Sequence, residues 1–542
     1  MTDIPKMTVD QWLEKVDYSF LNSGHYKPTP FALKFMNFIK LVNGAQGEEN
    51  KTPVMHLAML DRIAGKAENI VNLIFRGGAK TTIFGEYMIP YLAIFGEIEG
   101  FGKVPSMIYV SDSVDNGVKS LRKNVEFRWE SSDFLQEWLP PETTHITDQF
   151  MSFKSKTGNR FAMKAFGAKT GLRGTKIFGK RPVLAVLDDL LSDDDAKSKA
   201  AIEAIKDTIY KGIDYALDPR RRKIIFNGTP FAKNDPIYEA VESGAWNVNV
   251  WPVCERFPCE KEEFAGAWED RFTYEFMREK HIFSQKSGKL SAFNQEMMLK
   301  ISSEEERLVQ EAEIRWYSRP DLIKTRGRYN FYITTDFATS DKQTADFSVV
   351  SVWAYNANGD WFWVDGFARR QTMEKSIDQL FRLVSEYRPQ QVGIEVTGQQ
   401  YAFISWLQRE MMQRNIWFNF AQEKGSTRPG IRPTVNKLTR FNLVVPLFKA
   451  GKIYFPEEMR ESQVVQEFTT EISLATINGL KGKDDCLDTI SMLMNLEPWK
   501  PTEDAPLREQ SDSEMMGHNG GPVWSVEDEK DGQDSGMDSY LV

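Results

Sequence analysis

Cysteine is scarce: Cys254, Cys259 and Cys486 are the only three among 542 residues. That is too few for a disulfide framework, and no paired Cys/His spacing completes a zinc site around the first two. All three are read as free thiols. No stretch approaches the roughly 20 uncharged apolar residues of a membrane-spanning helix, and the opening MTDIPKMTVDQ lacks the basic-then-apolar form of a signal peptide. The expectation is a cytoplasmic protein with no membrane association. Excess positive charge is missing too, since the net charge is −9. From Pro501 onward, however, there are 11 Asp/Glu against two Lys/Arg, so the first 500 residues balance at 66 of each sign. The acidity belongs to a polar, aperiodic tail that reads as disordered. It is either a solubilising extension or a docking segment, with Trp524, Tyr540, Leu541 and Val542 as its apolar anchors.

The body has composition enough for two or three ordinary cores, with 41% hydrophobic and 27% charged residues. Its first half holds a degenerate phosphate-binding loop, LIFRGGAKTT, with Leu73 and Ala79 where the pattern G-x-x-x-x-G-K-[ST] has glycine. The apolar run Asn69 to Phe75 reads as a buried strand, and TTIFGEYMIPYLAIF has helical spacing. Gly77 and Gly78 would let the backbone turn its N–H groups towards phosphates. Lys80 would add a point charge and Thr81 a hydroxyl for Mg2+. By itself a GG turn before a lysine is more often an ordinary loop. A second strand, Val183 to Leu187, runs into Asp188 and Asp189, where α/β nucleotide folds hold Mg2+ and polarise water. A third, KIIFNGTP (Lys223 to Pro230), ends in small polar residues, and together the three suggest a parallel ATPase sheet.

From Arg328 the pattern changes to short aromatic and β-branched strands. RYNFYITTDFA, DFSVVSVWAY and DWFWVDGFARR make three, the last two joined across a turn at Asn356 to Gly359. A helix (Met373 to Tyr387), a strand (Gln391 to Val396), a helix (Gln399 to Arg414), a strand around Trp417 and further helices follow. The order β-β-β-α-β-α-β-α is that of ribonuclease H-like nucleases, whose chemistry needs carboxylates converging from distant positions. Asp336 ends the first strand, Glu395 lies near the end of the fourth, and KGKDDCLDTISM opens a late helix with Asp484, Asp485 and Asp488. Two Mg2+ ions for phosphodiester hydrolysis would take such oxygen ligands, and Asp485 and Asp488 share a helix face. Acids at a helix start also simply suit its dipole.

These motifs resemble the large terminase subunits of tailed double-stranded DNA bacteriophages over about residues 60 to 500. The likeness rests on RGGAKTT, VLAVLDDL, FNGTP and the Asp336, Glu395, DDxxD set in that order. The resemblance implies an ATP-driven packaging motor joined to a metal-dependent DNA endonuclease. It implies nucleotide contacts from Arg76, Gly77, Gly78, Ala79, Lys80, Thr81 and Thr82, with Mg2+ on Asp188. Asp189 stands where the family usually has a catalytic Glu. Arg173, in GLRGTKIFGKRP, is the candidate arginine finger, with Arg181 behind it. In the nuclease the implied catalytic and metal residues are Asp336, Glu395, Asp485 and Asp488, with Asp346 as an additional acid and Mn2+ as an alternative to Mg2+.

The expected fold class is therefore α/β, a P-loop-type ATPase with a parallel sheet followed by a ribonuclease H-like nuclease. The expected domains are an N-terminal segment (1–60), the ATPase core (61–250), a lid or linker (251–325), the nuclease (326–500) and the tail (501–542). For DNA the candidate basic stretches are Arg220 to Lys223, Lys164 to Lys180 and Lys424 to Arg440, the last expected as a loop over the nuclease cleft with Arg428, Arg432, Lys437 and Arg440 as its contacts, and the first leaning towards solvated surface. Expected partners are double-stranded DNA, the portal protein, a small terminase subunit and the procapsid, with the chain as a pentameric ring on the portal. The rival readings are a helicase-nuclease and a non-enzymatic assembly protein with relic sites.

Overall fold

The computed structural model describes residues 5–47, 50–302, 306–338, 347–396, 401–423, 428–480 and 483–501. Asp346, Lys424 and the tail with Trp524, Tyr540, Leu541 and Val542 lie outside the described residues.

The first half is built on an eight-stranded sheet. Its strands are β1 (Asn69–Ile74), β2 (Ser106–Ser111), β3 (Thr144–Ile146), β4 (Phe150–Lys154), β5 (Arg160–Gly167), β6 (Leu184–Asp188), β7 (Lys223–Gly228) and β8 (Asn247–Trp251), in the order β8-β1-β7-β6-β2-β5-β4-β3. The six strands from β8 to β5 run parallel, while β4 and β3 are antiparallel additions. Parallel strands covered on both faces read as unbroken apolar runs, and β6, LAVLD, is buried along its whole length. The exception is a buried amide ladder: Asn72 sits opposite both Asn249 and Asn227 in register. Asn249 Nδ2 donates to Asn72 Oδ1 and Asn72 Nδ2 donates to Asn227 Oδ1, each at 2.7 Å.

Helices α1 (Pro30–Asn43), α2 (Val54–Ala64) and α3 (Met88–Phe95) belong to this half, with α4 (Tyr274–Lys286) and α5 (Leu290–Glu296) in the expected lid. One continuous apolar core runs from Val9 to Ile301, so the N-terminal segment and the lid helices pack on the same core as the sheet.

A six-stranded sheet organises the second half. It contains β9 (Arg315–Tyr317), β10 (Asn330–Asp336), β11 (Ser348–Tyr355), β12 (Trp361–Arg369), β13 (Gln391–Ile394) and β14 (Ile453–Pro456), in the order β9-β14-β12-β11-β10-β13. Here β10, β11 and β12 are antiparallel neighbours, and β13 lies parallel to β10. β9, inside the segment expected as lid, pairs with β14 of this sheet. Alternation along the strands separates two cores: Tyr332, Val349 and Trp353 face one, and Phe331, Ile333 and Val350 the other. Helices α6 (Met373–Tyr387) and α7 (Tyr401–Arg414) follow, then α8 (Lys437–Asn442), α9 (Gln463–Leu474) and α10 (Asp485–Ser491).

The expected strand around Trp417 does not form. Trp417 is exposed, and among the described residues the pairing beyond β13 continues as isolated bridges, Val392 with Phe420 and Glu395 with Ile431. The segment after Trp417 still lies along β13, with the Val392 N–H donating to the Asn419 carbonyl at 2.8 Å and the Ala421 N–H to the Val392 carbonyl at 2.9 Å, but two such bonds make a bridge and not a strand.

Candidate active sites

Parallel register decides where the first set of residues meets. Asp188 lies opposite Asn227, and Leu73 opposite Gly228, so the carboxyl ends of β1, β6 and β7 open at one edge of the sheet. The loop after β1 turns tightly there. Gly77 has φ +89°, and a Cβ at Gly78 would stand 2.5 Å from Ile74 Cγ2, which explains glycine at both positions. Ala79, where the pattern has glycine, takes φ +60°, a left-handed backbone that an L-residue adopts at a cost of about 1 kcal/mol. His56 on α2 braces the loop, with Nε2 3.0 Å from the Gly78 carbonyl. Thr82–Tyr87 is wound as a π-helical turn before α3.

Lys80 Nζ lies 3.0 Å from Asp189 Oδ2 and donates to Thr229 Oγ1 at 3.0 Å. Thr81 Oγ1 donates to Asp188 Oδ2 at 2.5 Å, and Tyr109 OH donates to the same oxygen at 2.9 Å. Burial, reinforced by neighbouring Asp189, pushes the Asp188 carboxyl up to about 6, against the pull of Lys80. Asp188 Oδ1 is buried without a hydrogen-bond partner. An oxygen in that position suits a hard cation, which takes oxygen ligands. Arg76, Lys80, Thr81, Asp188, Asp189 and Glu296 line a cleft of 580 Å³. Arg76 reaches Glu296 of α5 at 3.2 Å. Tyr109, Thr229 and Glu296 are absent from the sequence-based set: Thr229 lies in the polar strand end already singled out, whereas Glu296 carries no local signal. Arg173 stands on an exposed turn away from this cleft's lining, and Arg181 donates to the Tyr215 carbonyl at 2.8 Å.

The second set also meets through register. Thr335 pairs with Ile394, so the next residues, Asp336 and Glu395, emerge together at the ends of parallel β10 and β13. The first turn of α10 brings Asp485 and Asp488 to them. Burial raises the Asp336 carboxyl well above its usual range, and the charges of Asp488, Asp485 and Glu395 add to that, in that order. Asp488, itself buried, is raised to about 6, although Lys437 and Arg440 pull it down. Like charges crowded out of water hold protons or gather cations. Two cations of α8 are gathered here: Arg440 bridges Glu395 Oε2 at 2.7 Å and Asp488 Oδ1 at 2.9 Å. Lys437 bridges Asp488 at 2.9 Å and Asp484 at 2.6 Å.

Among the described residues no group of three or more His, Cys, Asp or Glu is arranged to hold a metal ion. Glu395 Oε2 and both oxygens of Asp488 are turned onto Arg440 and Lys437, and Asp485 Oδ2 accepts the Phe347 N–H at 3.0 Å. The donor set nevertheless suits a hard divalent cation, being all carboxylate and over-charged.

Of the residues expected at DNA, Lys437 and Arg440 are thus engaged with acids, while Arg428 is exposed and Arg432 half-buried. The run Arg220 to Lys223 is not simply solvated surface. Lys223 is buried and donates to the carbonyls of Gly65 at 3.0 Å and Ala67 at 2.6 Å, and Arg222 pairs with Asp214 at 2.8 Å. The three cysteines are free and buried, and no helix among the described residues is long and apolar enough to cross a membrane.

Comparison with known proteins bears on the second of these sites. Residues 333–497 match the family model of the terminase RNaseH-like domain. No curated protein matches the chain. Among solved structures, the HK97 bacteriophage large terminase is similar over 90% of this chain and 99% of its own, at 14% identity and a TM-score of 0.29. The human cytomegalovirus terminase nuclease domain, Mn-soaked with inhibitor bound, is similar over 34% of this chain and 93% of its own, at 14% identity and TM-score 0.27. The large terminase nuclease of thermophilic phage G20c with bound magnesium covers 34% and 95%, at 14% identity and TM-score 0.24. The likeness to a terminase domain is carried by the family match and holds for residues 333–497.

Proposed function

We propose, from the premise that residues 333–497 form a terminase RNaseH-like domain, that this chain is a viral DNA-packaging motor. ATP hydrolysis in the first half would drive double-stranded DNA into a procapsid, and the second half would cut concatemeric DNA. The reading extends to a ring of copies on a portal, a small subunit that selects DNA, and a host cytoplasmic setting. The observation that carries it is the meeting of Asp336, Glu395 and Asp488, from three remote stretches, at one end of the sheet inside the matched segment.

In the first half Lys80 and the loop N–H groups would hold the β- and γ-phosphates, with Thr81 and Asp188 holding Mg2+. Asp189, hydrogen-bonded to the Thr229 N–H at 3.2 Å, would orient the attacking water. In the second half Asp336, Glu395 and Asp488 would hold Mg2+ or Mn2+, with Asp485 and Asp346 as further acids. Bound there, the metal supplies Lewis-acid activation of water and stabilisation of the leaving oxygen. Arg428 and Arg432 would hold the DNA backbone, joined by Lys437 and Arg440 when these leave the carboxylates. Arg173 is proposed to reach the nucleotide of a neighbouring copy.

Separable activities test the reading. Lys80→Ala is expected to lower ATPase by roughly two orders of magnitude or more while sparing metal-dependent cutting of linear duplex DNA, and Asp336→Asn to do the reverse. Loss of both activities in either folded variant would sink the two-site assignment. DNase protection of DNA by procapsids, requiring both ATP and Lys80, would then separate a packaging motor from a helicase-nuclease or an inactive assembly protein.

A further inference from the structure

Helix α9 is an unusual interior element. It is buried from Val465 to Leu474, yet that stretch carries Gln466, Glu467, Thr469, Thr470, Glu471 and Ser473. Buried polar groups cost free energy unless they are paired, so each side chain's partner says what the helix is for. One set faces the lid. Thr470 Oγ1 lies 3.2 Å from His281 Nε2, Thr469 Oγ1 accepts from Gln285 Nε2 at 2.8 Å, and Ser473 Oγ accepts from Asn294 Nδ2 at 3.0 Å.

Glu471 instead reaches the start of α10. Its Oε2 accepts the backbone N–H groups of Cys486 at 2.9 Å and Leu487 at 3.1 Å. These are the second and third residues of the helix, whose N–H groups have no partner inside it. The residue that would ordinarily cap them is Asp484, but its side chain makes no cap bond and goes to Lys437. A carboxylate from another helix therefore does the capping, which leaves Asp484 for the cationic side of the acid cluster. α10 has only seven residues, too few to hold its own first turn, and that turn presents Asp485 and Asp488.

We propose that Glu471 is a positioning residue for the carboxylate site: by holding the Cys486 and Leu487 N–H groups it sets the place of Asp485 and Asp488 relative to Asp336 and Glu395. Its hydrogen bonds go to the backbone of α10. The inference rests on the nuclease reading above. It goes beyond it in assigning a role to an acid that no active-site motif includes.

The test compares the full chain with Glu471→Leu, which keeps the volume and removes the acceptor, and Glu471→Gln, which keeps an acceptor oxygen. Mn2+ binding is read by electron paramagnetic resonance, and cutting of linear duplex DNA by kcat and KM, with circular dichroism to establish folding. Glu471→Leu is expected to weaken Mn2+ binding and to lower kcat by roughly 10- to 100-fold, with KM for DNA little changed; Glu471→Gln should restore most of both. A folded Leu variant with wild-type Mn2+ affinity and kcat, or a Gln variant no better than Leu, would overturn the assignment. If the Leu variant does not fold, hydrogen exchange on the wild type decides: slow exchange at Cys486 and Leu487 supports the cap, and fast exchange refutes it. A folded wild type that binds Mn2+ but cuts no DNA would defeat the nuclease reading, leaving Mn2+ affinity to judge Glu471. A wild type that does neither defeats both.

Discussion

Arg440 answers for two carboxylates at once. Its two terminal nitrogens are divided between Glu395 and Asp488, and it is only 14% exposed. Removing one partner of a buried ion pair leaves the other charge uncompensated, a loss of about 3 kcal/mol or more. Arg440→Gln is therefore expected to lower the thermal transition in EDTA, and Mn2+ should recover much of that loss by taking the cation's place. If Mn2+ stabilises the wild type and the variant equally, the arginine and the metal do not share the acids. At this scale the acids were legible from type and strand position. Their cationic partners were read as DNA contacts, because sequence shows a basic helix but not what it faces.

At the scale of elements, the phosphate-type loop depends on its neighbours as much as on its own residues. α2 delivers His56 to the Gly78 carbonyl, and burial holds the imidazole down at about 4. An unfolded histidine titrates near 6.5, so on acidification the unfolded chain takes up a proton that the native site refuses. The stability this confers is present above pH ~6.5 and is lost as pH falls towards 4, amounting to about 2 kcal/mol by pH 5. Buried His281, held down to about 3, adds a loss of the same sign, so urea unfolding at pH 7 and pH 5 should show a decrement in the wild type that is smaller, by about 2 kcal/mol, in His56→Gln. Equal decrements would mean that His56 does not contribute to the loss. The strand, turn and helix around this loop follow from the apolar run, the glycine pair and the helical spacing. The brace does not, because nothing in the order of residues brings position 56 to position 78.

At the scale of the whole molecule, two sets of apolar cores meet through polar contacts. The first ends at Ile301 and the next begins at Val309, while α9 joins them through His281, Gln285 and Asn294 and through the ion pair of Arg256 with Glu467. Arg256 also stacks over Phe347, 3.7 Å from the ring centre, next to the amide that Asp485 accepts. Polar interfaces hold domains together more weakly than shared apolar cores. Arg256→Ala is expected to weaken the junction by about 3 kcal/mol, and calorimetry should then resolve the two halves as separate transitions. A single unchanged endotherm would mean that other contacts fix the interface.

Sequence alone determined the kind and order of the elements around the two sites, the strand expected at Trp417 excepted, since strand and helix periodicities and turn residues act over a few positions. It also brought forward Lys80, Asp188, Asp336, Glu395 and Asp488, because acids and a lysine at strand ends are chemically conspicuous. Strand register, and the packing of helices from remote stretches, decided the rest. Thr335 opposite Ile394 makes neighbours of two acids 59 residues apart in the chain. Packing likewise turned Arg440 onto those acids, set Glu296 against Arg76, and made Glu471 the cap of a helix that begins 14 residues later. Hydrogen bonds and charge act through space, so their partners exist only once the chain is folded.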